Sequence, residues 1–178
     1  MKSTLRIIAL CLLFFFSFQA VKAQKIKTAI DYNDYLVSIT DTLYQLGQQW
    51  GDQFNTAYQS KDFKSLTPVR IKIEQFASRK FLEVTTMKDM YGSEKLRAAM
   101  LEFLAFEKIM IAEHFTALEK LNSSSTDDEV KKGLEVLTTD SKSEAVALKR
   151  VNEAQREYAQ KNGFTIEEPD EAAAGENQ

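Results

Sequence analysis

Residues 93–121 read SEKLRAAMLEFLAFEKIMIAEHFTALEKL and hold the densest apolar pattern in the chain. The apolar side chains recur at spacings of three and four residues, which is the period of an α-helix with a buried face. In the middle of the segment they cover more than half of the helix circumference, at Leu101, Phe103, Leu104, Phe106, Ile109, Met110 and Ile111. This breadth predicts the most buried helix of the protein.

Three other segments show the same helical period. The first runs from about residue 29 to 59, and its stripe is Tyr32, Leu36, Ile39, Leu43, Leu46, Trp50 and Phe54, with Tyr58 adding a turn. The second runs from about residue 68 to 88. The last runs from about residue 126 to 162; it begins at a capping box of Thr126 and Glu129 and ends before Gly163.

Four helices joined by connections of about 4 to 9 residues favour an all-α fold, an antiparallel up-down-up-down four-helix bundle over residues 24–166. Scarce Gly (6) and Pro (2) argue against an all-β fold, because its turns rely on these residues. Gly47 and Gly51 in the first helix indicate close packing against a neighbour or a local bend. Ser141 and Glu144 interrupt the last helix's apolar seam and predict a frayed or solvated section.

The N-terminus has the build of a secretory signal peptide. Lys2 and Arg6 precede an apolar run, residues 7–18, and Val21 and Ala23 supply the side chains expected before a cut. The sequence predicts cleavage between Ala23 and Gln24 and therefore export to the periplasm, the cell surface or the medium. The run is shorter than the roughly 20 residues that span a bilayer, which argues against a membrane anchor.

The C-terminus, residues 167–178, carries acids and no bases, and we expect a disordered acidic tail. After the predicted cut the chain has 20 basic and 26 acidic residues, a net charge of −6. Neither this charge nor the scattered Lys and Arg residues favour binding of nucleic acid. The oligomeric state is left open.

The sequence lacks the residue sets of the common catalytic and cofactor sites. One Cys, inside the predicted signal, and one His exclude a disulfide scaffold and a Cys/His zinc site within one chain. There is no Gly-rich phosphate loop, and no Ser lies in a Gly-flanked elbow. We therefore predict a protein that is not an enzyme and that holds no cofactor or metal.

Two pairs of residues are candidates for a site. Glu107 and His114 share a face of the third helix at 4-3 spacing, so they could form a polar pocket within the bundle or a satisfied core pair. Tyr32 and Tyr35 lie beside acidic residues at the start of the first helix. Aromatic rings beside acids could contact a partner, or could lie half-buried with their hydroxyls in water.

Three short motifs, Ala29 to Tyr35 (AIDYNDY), Ser93 to Ala99 (SEKLRAA) and Gln160 to Phe164 (QKNGF), accompany the export signal. Together they resemble the small secreted or surface-associated helical proteins of uncharacterised function found in Gram-negative bacteria, including Bacteroidota and spirochaetes. The resemblance implies a bacterial envelope setting and a helical fold, and it brings no catalytic residues.

These observations support three hypotheses of function. The first is a noncatalytic exported bundle that binds a protein or a cell-envelope component. The alternative is a periplasmic carrier of an apolar small molecule held between the helices, which needs a cavity of roughly 300 Å3 or more. The third is an enzyme that uses carboxylates alone, which needs two inward carboxyls with raised pKa on facing helices.

Overall fold

A computed structural model describes residues 26–166 of the chain. Within that range the protein is all-helical, with four helices and no β-strand. The predicted signal peptide, residues 1–23, and the predicted acidic tail, residues 167–178, lie outside the described residues.

The helices follow one another along the chain as α1 (Ala29–Ser60), α2 (Thr67–Thr86), α3 and α4 (Asp127–Asn162). α3 has three consecutive sections: α-helical Glu94–Met110, π-helical Ile111–Phe115 and α-helical Thr116–Glu119. A short 3-10 helix, Phe63–Leu66, leads directly into α2. None of the helices within residues 26–166 is long and apolar enough to cross a membrane.

The ends of α4 form as local sequence predicts. The Thr126 hydroxyl accepts a hydrogen bond from the Glu129 backbone N–H, and the Glu129 carboxylate accepts one from the Thr126 N–H. At the other end Gly163 has a φ of +72°, in the left-handed region that Gly tolerates. The Phe164 N–H then donates to the Ala159 carbonyl, which closes the last turn.

The core contains the whole apolar stripe predicted for α1, from Tyr32 to Phe54. The prediction that the stripe extends to Tyr58 is wrong, because Tyr58 is 40% exposed and the small Ala57 is buried instead. α3 contributes the largest set of buried side chains, at Leu96, Ala99, Met100, Phe103, Leu104, Glu107, Met110, Ile111, Phe115 and Leu118.

Packing between the helices is uneven. α3 packs extensively against both α2 and α4, and α1 packs along α2. Among the helix pairs that pack side by side, α1 and α4 approach each other least, which leaves space between them. Gly47 and Gly51 face this space: a Cβ built on either one would meet no atom within 4 Å outside the local backbone. The prediction that these glycines serve close packing is therefore wrong.

Candidate functional site

A cavity of about 510 Å3 lies between α1, α3 and α4, and is called here the α1–α4 cavity. Most of its wall is apolar, formed by side chains such as Leu43, Trp50, Phe103, Met110, Phe115 and Leu137. The exposed Tyr44 and Gln48 also line it, so it opens to solvent on the α1 side. Its volume falls within the range of roughly 300–1,000 Å3 that is typical of small-molecule sites.

The α1 wall of the cavity is open because two side chains are missing from it. Gly47 and Gly51 lie one turn apart on the lining. A Gly inside a helix weakens it by about 0.8–1.0 kcal/mol relative to Ala. Neither residue needs positive φ, since both lie within the continuous helix α1, and neither avoids a clash. What the two glycines provide is volume in the cavity.

One end of the cavity is aromatic. The Trp50 ring stacks on the Phe115 ring, with centroids 4.1 Å apart and planes 19° from parallel. Phe115 reaches this position from the π-helical section of α3. Stacked rings form a flat apolar surface against which the apolar part of a ligand can pack.

Glu107 is the ionisable side chain that α3 contributes to this lining. It is 4% exposed, and its Oε1 atom is buried without a hydrogen-bond partner. Glu144 enters the same lining from α4, within hydrogen-bonding reach of Glu107. An unsatisfied buried carboxyl oxygen costs free energy, so the site is incomplete as an isolated protein core.

Burial raises the pKa of Glu107 to about 8, and the Glu144 carboxyl beside it adds to the rise. Burial raises the pKa of Glu144 as well. At pH 7 Glu107 therefore carries a proton and can donate it in a hydrogen bond to Glu144. Two carboxyls that share one proton leave the pair with a charge near −1.

A second cavity of about 530 Å3 adjoins the first along the same two helices. The two share Thr40, Tyr44 and Leu148 in their linings, so the space between α1 and α4 continues past the α1–α4 cavity. The adjoining space has a more polar wall, which includes Asn33, Asp41, Asn152 and Arg156.

His114 does not join Glu107 in the α1–α4 cavity. Its Nε2 atom lies 2.9 Å from Oδ2 of Asp140 on α4, and both side chains are partly exposed. This distance is short enough for an ion pair when the imidazole is protonated. The two groups are not aligned for a hydrogen bond, and Asp140 Oδ2 is buried without a hydrogen-bond partner. The π-helical section separates the candidates, because its extra residue per turn brings Phe115 to the cavity where regular spacing expects His114.

Tyr32 and Tyr35 have different environments. Tyr32 is fully buried, with its ring centroid 5.9 Å from that of Tyr158, so the prediction that it contacts a partner is wrong. Tyr35 is half-buried and donates its hydroxyl proton to the Glu83 carboxylate. Lys80 Nζ donates to both groups, at 3.2 Å to Tyr35 and 2.7 Å to Glu83. Burial and the bond to Glu83 raise the pKa of Tyr35.

The sequence predicts Glu107 as a candidate site residue but does not pair it with Glu144. Glu144 and Ser141 were signalled by the interruption of the α4 seam, and both line the cavity. The helix continues through them without a break, so the section does not fray. Residues 141–143 are exposed, so the solvated alternative is confirmed. In α4 the polar interruption of the apolar seam therefore lies where the helix faces the cavity.

Among the described residues, no group of three or more His, Cys, Asp or Glu side chains is placed to hold a metal ion. The candidate site consists of an apolar cavity, two adjacent carboxyls and a stacked aromatic pair. Comparison of the chain with models of protein families, with curated proteins and with solved structures gives no match.

Proposed function

We propose that the protein is a noncatalytic exported helical bundle that binds an apolar small molecule in the α1–α4 cavity. One observation carries this proposal: Gly47 and Gly51 line a cavity of about 510 Å3, where a Cβ would meet no atom within 4 Å, and each glycine costs helix stability. Cores normally pack to crystal-like density with few voids. An apolar space that larger residues could occupy, and that the chain leaves open, is typical of a binding site.

We further propose the antiparallel up-down-up-down arrangement for the four helices. Three ion pairs support it, because each joins the beginning of one helix to the end of another. The pairs are Lys61 with Asp127 (2.9 Å), Arg70 with Glu119 (2.6 Å) and Lys95 with Glu157 (2.6 Å). In this arrangement α4 lies beside α1 and the cavity runs along both.

The setting that we propose is the envelope or exterior of a Gram-negative bacterium. The signal-like segment with its cut between Ala23 and Gln24 supports export, and the resemblance to small secreted or surface-associated helical proteins supports the same setting. The acidic tail, residues 167–178, is proposed to solvate the mature protein.

The scattered exposed apolar side chains favour a small ligand over a protein or envelope partner. Large apolar side chains are exposed on all four helices, as at Tyr44, Leu82, Ile109 and Val146. Apolar side chains exposed singly are ordinary on soluble proteins and need no partner. The cavity, by contrast, gathers apolar lining into one concave site.

Acid–base catalysis by carboxylates is the second candidate function. Glu107 and Glu144 lie on facing helices and have raised pKa values, which are the conditions for that hypothesis. The lining offers few other polar side chains, Thr40, Gln48 and Ser141 among them, to hold a polar substrate in a reactive position. The binding function is therefore preferred.

The test uses Trp50, which is the chain's single tryptophan and lies in the cavity wall. We expect titration of the exported protein with decanol to change Trp50 fluorescence in a saturable way. A Cβ at Gly51 meets no atom within 4 Å, so the side chain of Gly51→Leu should enter the cavity and weaken the change while the protein stays folded. Asn55→Leu, on the exposed side of α1, is the matched control and should bind like the parent protein.

Absence of a saturable change in the parent protein would contradict the proposal. Equal binding by Gly51→Leu and the parent would contradict it too, because the ligand would then lie elsewhere. A native mass spectrum of the exported protein adds an independent readout. A mass excess that disappears on denaturation would reveal the ligand acquired in the cell.

A further inference from the structure

We propose that the ligand of the α1–α4 cavity is a cationic amphiphile, a protonated alkyl- or arylamine whose ammonium group lies between the carboxyls of Glu107 and Glu144. This inference rests on the binding function proposed above and specifies the chemical class of the ligand. The apolar part of the molecule would pack against the Trp50 and Phe115 end of the cavity.

The first argument is the unsatisfied oxygen. Glu107 Oε1 is buried, accepts no hydrogen bond and belongs to a side chain that lines the cavity. An ammonium group brings three N–H donors, which is enough for this oxygen and for the Glu144 carboxyl together. A hydrogen bond between an ammonium and a carboxylate is charge-assisted and stronger than one between neutral groups.

The second argument is the charge of the lining. The described residues that line the cavity include two glutamates and no Lys, Arg or His. An anionic ligand would add a like charge to the pair and would be disfavoured. A cation supplies the missing counter-charge in a mostly apolar site, where attraction between opposite charges is stronger than in water.

Binding of the cation should release one proton from the site. The Glu107 carboxyl loses its proton to solvent, and the ammonium takes its place between two carboxylates. The titratable groups that face the site are Glu107 on α3, Glu144 on α4 and Tyr44 on α1. From α2 the lining includes Ile73, which does not titrate. Because the pKa of Glu107 is about 8, binding should strengthen as pH rises from 6 toward 8.

The experiment compares three probes of equal chain length: decylammonium, decanol and decanoate. Trp50 fluorescence measures each dissociation constant at pH 6, 7 and 8. We expect decylammonium at pH 8 to bind about tenfold or more tightly than decanol, with decanoate weakest. Tightening between pH 6 and pH 8 should be confined to decylammonium, because decanol carries no charge.

Glu107→Gln tests the residue itself. This near-isosteric change removes the charge and keeps the volume, so we expect the preference for decylammonium to fall about tenfold while decanol still binds. Glu102→Gln is the matched control, a glutamate on α3 whose side chain is 64% exposed. It should leave the binding of all three probes unchanged.

The outcomes separate the two proposals. Equal affinity for decylammonium and decanol, or an unchanged preference in Glu107→Gln, would overturn the cationic ligand and leave the apolar carrier standing. If no probe binds, the carrier itself is overturned. Loss of all binding in Glu107→Gln, with the variant folded by circular dichroism, would also overturn selection by charge, since decanol needs none.

Discussion

At the scale of the residue, Glu107 ties the stability of the protein to pH. In the unfolded chain its carboxyl titrates near the ordinary value of 4.5, and in the folded protein its pKa is about 8. Between these values the folded protein binds the proton and the unfolded chain does not. The folded state is therefore favoured below about pH 4.5, and this advantage is lost as pH rises toward 8.

We predict that Glu107→Gln removes this pH dependence. The contribution of Glu107 to the free energy of unfolding should fall by about 1.4 kcal/mol per pH unit within that window. Urea unfolding of the parent and the variant at pH 5, 6, 7 and 8 measures the difference, and carboxyls outside the Glu107–Glu144 pair cancel in the comparison. Parallel pH profiles would show that Glu107 does not hold its proton in the folded protein.

At the scale of the element, α1 combines a complete apolar stripe with two glycines that nothing in its packing requires. We predict that Gly47→Ala and Gly51→Ala each raise the free energy of unfolding by about 0.5–1 kcal/mol, because Ala is the better helix former. Gly133→Ala on α4 is the contrasting variant, since its Cβ would lie 2.6 Å from Cδ2 of the buried Leu118.

Chemical denaturation of the three variants gives the comparison. The α1 variants should gain stability, whereas Gly133→Ala should gain nothing or lose stability as Leu118 is displaced. A loss at Gly47 or Gly51 would mean that these glycines contribute to the packing of α1 after all.

The elements also show how far the sequence alone reaches. The α1 stripe and the α4 capping box depend on neighbours in the sequence, and both were predicted. The position of His114 was not, because the π-helical section of α3 shifts the register by an amount that local periodicity does not encode. The pairing of Glu107 with Glu144 depends on which faces of α3 and α4 meet, and this is a property of the tertiary packing.

At the scale of the whole molecule, α3 packs extensively against two helices while the space between α1 and α4 stays open. We predict that Leu104→Ala, at a fully buried position of α3, costs about 2–5 kcal/mol of unfolding free energy. Leu148→Ala, which only enlarges a space already present in the half-buried cavity wall, should cost less than half as much.

Urea denaturation of both variants at one pH measures these costs. Equal costs would mean that the space between α1 and α4 closes in solution, which would also remove the proposed binding site. A preserved m-value in both variants would show that each still unfolds in one transition.

The glycine pair on α1 has a consequence for laboratory evolution. In a library screened only for heat resistance, Ala and other good helix formers at Gly47 or Gly51 would be enriched, because they restore helix propensity and their Cβ meets no atom within 4 Å. The enriched clones would have larger residues there and a smaller cavity. Adding decylammonium to the same screen should favour clones that keep both glycines, because the proposed ligand needs the space that larger side chains would occupy.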